Sequence, residues 1–352
     1  MGKIISGIQQ IGVGVSDVYE AWDWYRKTLG FDIKMFDEAA EANLMLPYTN
    51  QQPQDRHAIL ALNMKGGGGL EIWQYKSRTP VNAKFEAELG DLGIFITKIK
   101  TENIPQAFSS LQNKGVNIIS EIVKTPAGSQ HFYIKDPWNN ILEIEESNNW
   151  NLKLNKLFGG NSGVVLGVSD MEKSINFYSK ILDYDTTVFD TTDIFDDFKH
   201  LPGGQNKMRR VLLKHSVDRK GAFGNLLGTS SIELISTSTK EPRKIYQDRL
   251  WGDLGYIHLC FDVSDMQALK DECEQIGHPF TVDSANSFDM GEAAGHFSYI
   301  EDPDGSLIEF VETHKIPILK KLGWYLDLRK RNPEKALPQW FFKIIQLTRV
   351  KN

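Results

Sequence analysis

IGVGVSD, Ile11 to Asp17, returns as VVLGVSD, Val164 to Asp170. The residues that follow keep the same offset: AWDWYRKTLGFD (21–32) is echoed by SINFYSKILDYD (174–185). Further along, LGDLGIFI (89–96) matches WGDLGYIH (251–258), and IKDPWNNILEI (134–144) matches IEDPDGSLIEF (300–310). A repeat of this kind decides the architecture before any single element does. The chain is a duplicated two-part unit whose parts also resemble each other, with modules near 4–76, 88–147, 157–238 and 250–313.

Each module has the same local grammar. It opens with an alternating apolar strand, such as Ile257, Leu259 and Phe261. A Ser-Asp pair or Asn103 then supplies a helix cap. Apolar residues at three/four spacing follow, Trp22, Tyr25 and Leu29 in the first module, and Leu269, Cys273 and Ile276 in the last. Gly30, Gly115 or Gly277 ends three of the four helices. Three more strands come next, the last introduced by Gly or Asp-Pro turns. The fold class is therefore α+β, with four βαβββ modules. One such sheet leaves a face uncovered, so modules must pair.

The length of 352 residues suggests at least two domains. We place them at 1–150 (modules one and two) and 151–313 (modules three and four), with a tail over 314–352. No apolar run approaches the roughly 20 residues that span a bilayer. The opening residues do not read as a signal peptide. Met1-Gly2 with Ser6 matches a myristoylation pattern only loosely. Cys260 and Cys273 read as reduced thiols, which together with the missing leader fits a cytoplasmic protein. The net charge of −6 is uneven. The tail is strongly basic, and the rest is correspondingly acidic.

His258 on a first strand and Glu309 on a last strand form half of a metal site. VSD-x-x-x-(A/S)-x-x-(F/W)-Y-x-x-x-L and DP(D)G-x-L-I-E, taken together, resemble the vicinal oxygen chelate superfamily of glyoxalase I, extradiol dioxygenases and bleomycin-resistance proteins. The resemblance covers residues 4–313. It implies that modules pair into half-barrel clefts holding one divalent ion, with ligands from the first and last strand of each module. The first-strand position, seven residues before the capping residue, falls on Gln10, Ile96, Gly163 and His258. The last-strand position falls on Glu71, Glu143, Glu233 and Glu309. Ile96 and Gly163 carry no donor atom. Pairing one with four collects Gln10, Glu71, His258 and Glu309, and leaves the other cleft without a metal. Pairing three with four collects only Glu233, His258 and Glu309. The first is preferred for completeness, and both remain open at this level.

Such a set resembles that of zinc-type glyoxalase I. It suits Zn, Ni, Co, Mn or Fe, among which the residues do not choose. The implied activity is that of a lyase or isomerase: proton abstraction beside a carbonyl of a small alpha-oxo or hydroxy-acyl compound, with Glu309 as base and Glu71 opposite. Two alternatives stand beside it. One is a resistance-type protein that binds a small molecule without turnover. The other is an extradiol-type dioxygenase, for which one ligand histidine is too few. His296 and Tyr299 are candidates to face the same cavity. His131 and Tyr133 occupy the corresponding strand of module two. GGGG at 66–69 lacks the Lys-Ser/Thr of a phosphate loop.

The tail reads as two short amphipathic helices, about 316–330 and 336–347, separated at Asn332-Pro333. Its five large aromatics, Trp324 to Phe342, are rarely left in water. They are expected to pack on the acidic body or on a second copy in a homodimer. Contact with a membrane surface is the other reading. No nucleic-acid partner is expected.

Overall fold

In the computed structural model, residues 2–285, 288–289, 294–319 and 324–351 are described. The four opening strands are Ile4–Gly14, Gly93–Thr101, Phe158–Gly167 and Gly255–Ser264. Each runs into a helix: Val18–Leu29, Ile104–Asn113, Met171–Leu182 and Met266–Gln275. The capping side chains behave as read. Asp17, Asn103, Asp170 and Asp265 each accept from a backbone N–H of the first helical turn.

The pairing of modules follows from the sheets. Ile4–Gly14 runs antiparallel to Gly255–Ser264, which joins module one to module four. Gly93–Thr101 pairs with Phe158–Gly167, which joins two to three. Two nine-stranded sheets result, each a pair of modules back to back across their first strands. Within each module the first strand also lies parallel to the last, as in Ile4–Gly14 beside Gly69–Tyr75.

The alternation of each strand divides the molecule into core and clefts. One core cluster takes Tyr25, Leu111, Phe177 and Leu269 from the four helices, and Ile11, Val13, Ile144, Val164, Leu259 and Phe310 from both sheets. The opposite faces of the sheets line the clefts. A second link ties neighbouring modules. The Tyr25 hydroxyl donates to Asp136 in the DPWNN turn, and the Tyr178 hydroxyl donates to Asp302 in the DPDGS turn. The helix motif and the turn motif repeat together because they are bonded to each other. Burial pushes both Asp136 and Asp302 up to about 6.

The tail differs from the expected pair of helices. Its first half is a hairpin of Lys315–Leu319 and Trp324–Asp327, and only Gln339–Leu347 is an α-helix. Composition explains the change: Ile316 and Ile318 are β-branched and Trp324 and Tyr325 aromatic, all favouring extended backbone, and Gly323 is a poor residue for a helix interior. Lys315 also pairs with Asp327 across the hairpin, opposite charges facing. Phe341, Phe342, Leu337 and Ile316 are buried against Ile33, Leu60 and Leu62 of module one. Leu60 stands opposite Glu71 in the sheet, so the tail walls one flank of the module one/four cleft. Trp340 and Leu347 face outward; the Trp324 side chain lies outside the described part. Among the described residues no helix is long and apolar enough to cross a membrane.

Candidate metal centre

Gln10 and His258 come from neighbouring strands, and Glu71 and Glu309 from the strands flanking them. Gly12 makes this possible. It lies directly opposite His258, and a Cβ there would come within 2.4 Å of the imidazole. The ring therefore occupies the space where any other residue would place its side chain.

The four groups converge at the bottom of the cleft. His258 Nε2 lies 3.1 Å from Glu309 Oε2 and 3.3 Å from Glu71 Oε2. Gln10 Nε2 lies 3.3 Å from the same Glu309 oxygen and 3.5 Å from the same Glu71 oxygen. Glu71, His258 and Glu309 form a cluster of ligand atoms, all within 4.8 Å of one another. Donors bound to a single ion at about 2.0–2.2 Å stand roughly 3.0–3.5 Å apart, the spacing found here.

Unmet hydrogen bonding points the same way. Both His258 nitrogens and Gln10 Oε1 are buried without a directed hydrogen bond among the described residues. The two carboxylates approach Nε2 closely but off the line of its N–H. Turning the Gln10 amide over would bring Oε1 to the cluster as a fourth donor, the third oxygen beside the imidazole nitrogen. This donor set fits a divalent cation.

Electrostatics shows what holds the cluster when no cation is bound. Burial lowers the His258 imidazole, but Glu309 and then Glu71 lift it to about 9. Burial likewise works to raise Glu309, and His258 outweighs it; Tyr299 and Cys260 add hydrogen bonds, and the carboxyl lies below its usual range. At neutral pH the imidazolium stands in for the cation. The Trp251 ring lies nearly parallel to His258 at 6.4 Å, and Tyr299 meets it edge-on at 5.6 Å. Trp73 and Tyr75 pack with Trp251 in a buried aromatic cluster beside the imidazole.

His296 is not part of this constellation. It sits one residue from Phe297 and three from Tyr299, so strand alternation turns it to the other face. There it pairs with Asp283 at 2.6 Å. Tyr299 faces the site. Cys260 was missed by sequence reasoning, although its place two residues after His258 on the same strand face was the available signal.

The module two/three cleft is built differently. Ile96 and Gly163 occupy the positions of His258 and Gln10 in the equivalent registers. Lys98, two residues after Ile96, sends its ammonium between the remaining carboxylates, 2.6 Å from Glu233 and 3.2 Å from Glu143. Glu233 also accepts from Arg210 Nε, and Glu143 contacts His131 at 2.6 Å. Asp197 receives Arg210 Nη1 at 2.7 Å. Against burial, Glu143 and Glu233 hold Lys98 above its ordinary range, and Glu143 and Asp197 lift His131 to about 9. Fixed cations occupy the place a metal would take.

A profile described as Glyoxalase/Bleomycin resistance protein/Dioxygenase superfamily matches residues 7–144 and 162–310. The chain belongs to this superfamily. Among solved structures, this superfamily member resembles a putative dioxygenase from Bacillus subtilis subsp. subtilis str. 168, at 15% identity and TM-score 0.57, covering 88% of this chain and 86% of that one. It also resembles glyoxalase I from Zea mays, at 14% identity and TM-score 0.53, covering 88% and 92%. At such identity the likeness speaks for the fold. A search of curated protein sequences gives no match.

Proposed function

We propose that the module one/four cleft is the centre of a metal-dependent isomerase or lyase acting on a small alpha-oxo or hydroxy-acyl compound. The observation that carries this reading is the convergence of Gln10, Glu71, His258 and Glu309, drawn from both ends of the chain, at the spacing of a single ion's ligands. A divalent ion held there would polarise the substrate carbonyl and lower the acidity barrier of the adjacent C–H.

The residues divide the remaining work. Glu309 is the base that takes the proton beside the carbonyl. Its carboxyl lies below the usual range, held ionised against burial chiefly by His258, so it stands deprotonated and able to accept a proton. Glu71, more open to solvent, balances charge on the opposite side. Gln10 completes the set without adding charge. The buried cluster of Trp73, Tyr75 and Trp251 keeps water from one side of the ligands. Substrate access, solubility in the cytoplasm and a homodimeric state belong to the same proposal. The extradiol reading is disfavoured because the cluster offers one imidazole where that chemistry uses two.

The test is exchange of alpha-protons into deuterated water, followed by NMR for a panel of 2-hydroxy ketones and 2-oxo aldehydes with the Zn-, Ni- and Mn-loaded protein. Metal-dependent exchange of at least one compound is expected. Glu309→Gln should slow it about 10²–10⁴-fold, the usual weight of a general base. Binding of the panel without exchange under any metal would replace this reading with a non-catalytic binding protein.

A further inference from the structure

The module two/three cleft contains a cavity of about 630 Å³, within the size range of small-molecule sites. Lys98, Lys100, Arg210 and Glu233 contribute to its wall, with Trp150 and Phe189 as apolar surface. The acceptors at its floor are engaged. Both Glu233 oxygens are taken, one by Arg210 and one by Lys98. Glu145 Oε1 accepts from Ser162 at 2.5 Å.

Two cationic donors are not engaged. Lys100 Nζ is buried, and no hydrogen-bond partner for it exists among the described residues; the residue as a whole is 1% exposed. Arg210 Nη2 is buried and likewise without an acceptor. A buried ammonium with no contacting counterion is costly, and native proteins pair such groups or neutralise them. Burial draws Lys100 down to about 8, with Glu145 opposing. The cleft thus offers two unused cationic donors, a Glu233 carboxylate already paired on both oxygens, and room.

We propose that this second cleft, which lacks the metal ligands, binds a small organic anion whose carboxylate or phosphate is received by Lys100 and Arg210. The site is separate from the metal centre and does not rest on the activity assigned there. It gives the two halves of the molecule different ligands: a cation and substrate in one cleft, an anionic effector or cosubstrate in the other.

The experiment is calorimetric titration of the full chain, metal-loaded, with inorganic phosphate and separately with succinate, which has no alpha-oxo group for the metal centre. Saturable binding of one equivalent of one or both probes is expected, and which binds tells phosphate from carboxylate recognition. Lys100→Met keeps the length of the stem and removes the charge. It should weaken binding at least about 10-fold, as the loss of a charge-assisted hydrogen bond does. His258→Ala should leave binding unchanged. If Lys100→Met does not fold, phosphate- or succinate-induced shifts of the wild-type lysine side-chain NMR signals decide the question, with Lys100 expected to move. No saturable binding of either probe, undiminished binding in Lys100→Met, or binding lost in His258→Ala would overturn the proposal.

Discussion

His258 joins the site's chemistry to its pH dependence. Its folded pKa of about 9 exceeds the ordinary value, so its stabilisation of the metal-free protein is fully present below pH 6.5 and lost as pH rises through 9. His131 acts in the same window, so His258→Gln should reduce, not abolish, the fall in metal-free stability between pH 6.5 and 9. Chemical denaturation at several pH values measures this. A metal must displace the His258 proton. Binding at pH 7.5 is therefore expected to release close to one proton per ion, readable by calorimetry in buffers of different ionisation enthalpy. Apparent affinity should rise up to tenfold per pH unit toward 9 and then level off. Gly12 belongs to the same scale. Gly12→Ala sets a methyl against the imidazole at 2.4 Å, and should cost about 1–3 kcal/mol and at least tenfold in metal affinity.

At the scale of elements, the tyrosine–aspartate links and the tail carry separate predictions. Tyr178→Phe leaves the buried Asp302 without its hydroxyl donor, though backbone N–H groups of Asp304 and Ser306 remain. A loss of about 1–2 kcal/mol in unfolding free energy is expected. Phe342 is fully buried between the tail helix and module one, and Phe342→Ala should cost about 3–5 kcal/mol. Because the same cluster includes Leu60, opposite Glu71, the tail is a wall of the cleft as well as a brace. The first half of the tail differs from the expected helix because its apolar and basic spacing competes with β-branched and aromatic residues, Ile316, Ile318, Trp324 and Tyr325, and with Gly323, all poor at holding a helix.

At the scale of the whole molecule, the repeat made four modules legible and the cap residues located their helices, because both depend on local chemistry. The choice of partner did not follow from local chemistry. Only the presence of donors at Gln10 and His258, set against Ile96 and Gly163, favoured the arrangement that the sheets display. His296 lies three residues from Tyr299, so the two-residue period of a strand turns it off the cleft face. Lys98 does not occupy a ligand position of the repeat; the substitute cation sits one pleat beyond Ile96 on the same face. Its role is testable: Lys98→Met leaves Glu143 and Glu233 facing each other in a buried cleft and should cost about 3–5 kcal/mol.

The central claim is that one cleft of two holds a metal, and that the first and last modules build it. Metal stoichiometry by mass spectrometry after dialysis tests it most directly. One equivalent per chain is predicted, lost in Gln10→Ala and His258→Ala and retained in Glu233→Gln. Loss of the ion in Glu233→Gln with retention in Gln10→Ala, or no bound ion in the wild-type protein after loading, would contradict it.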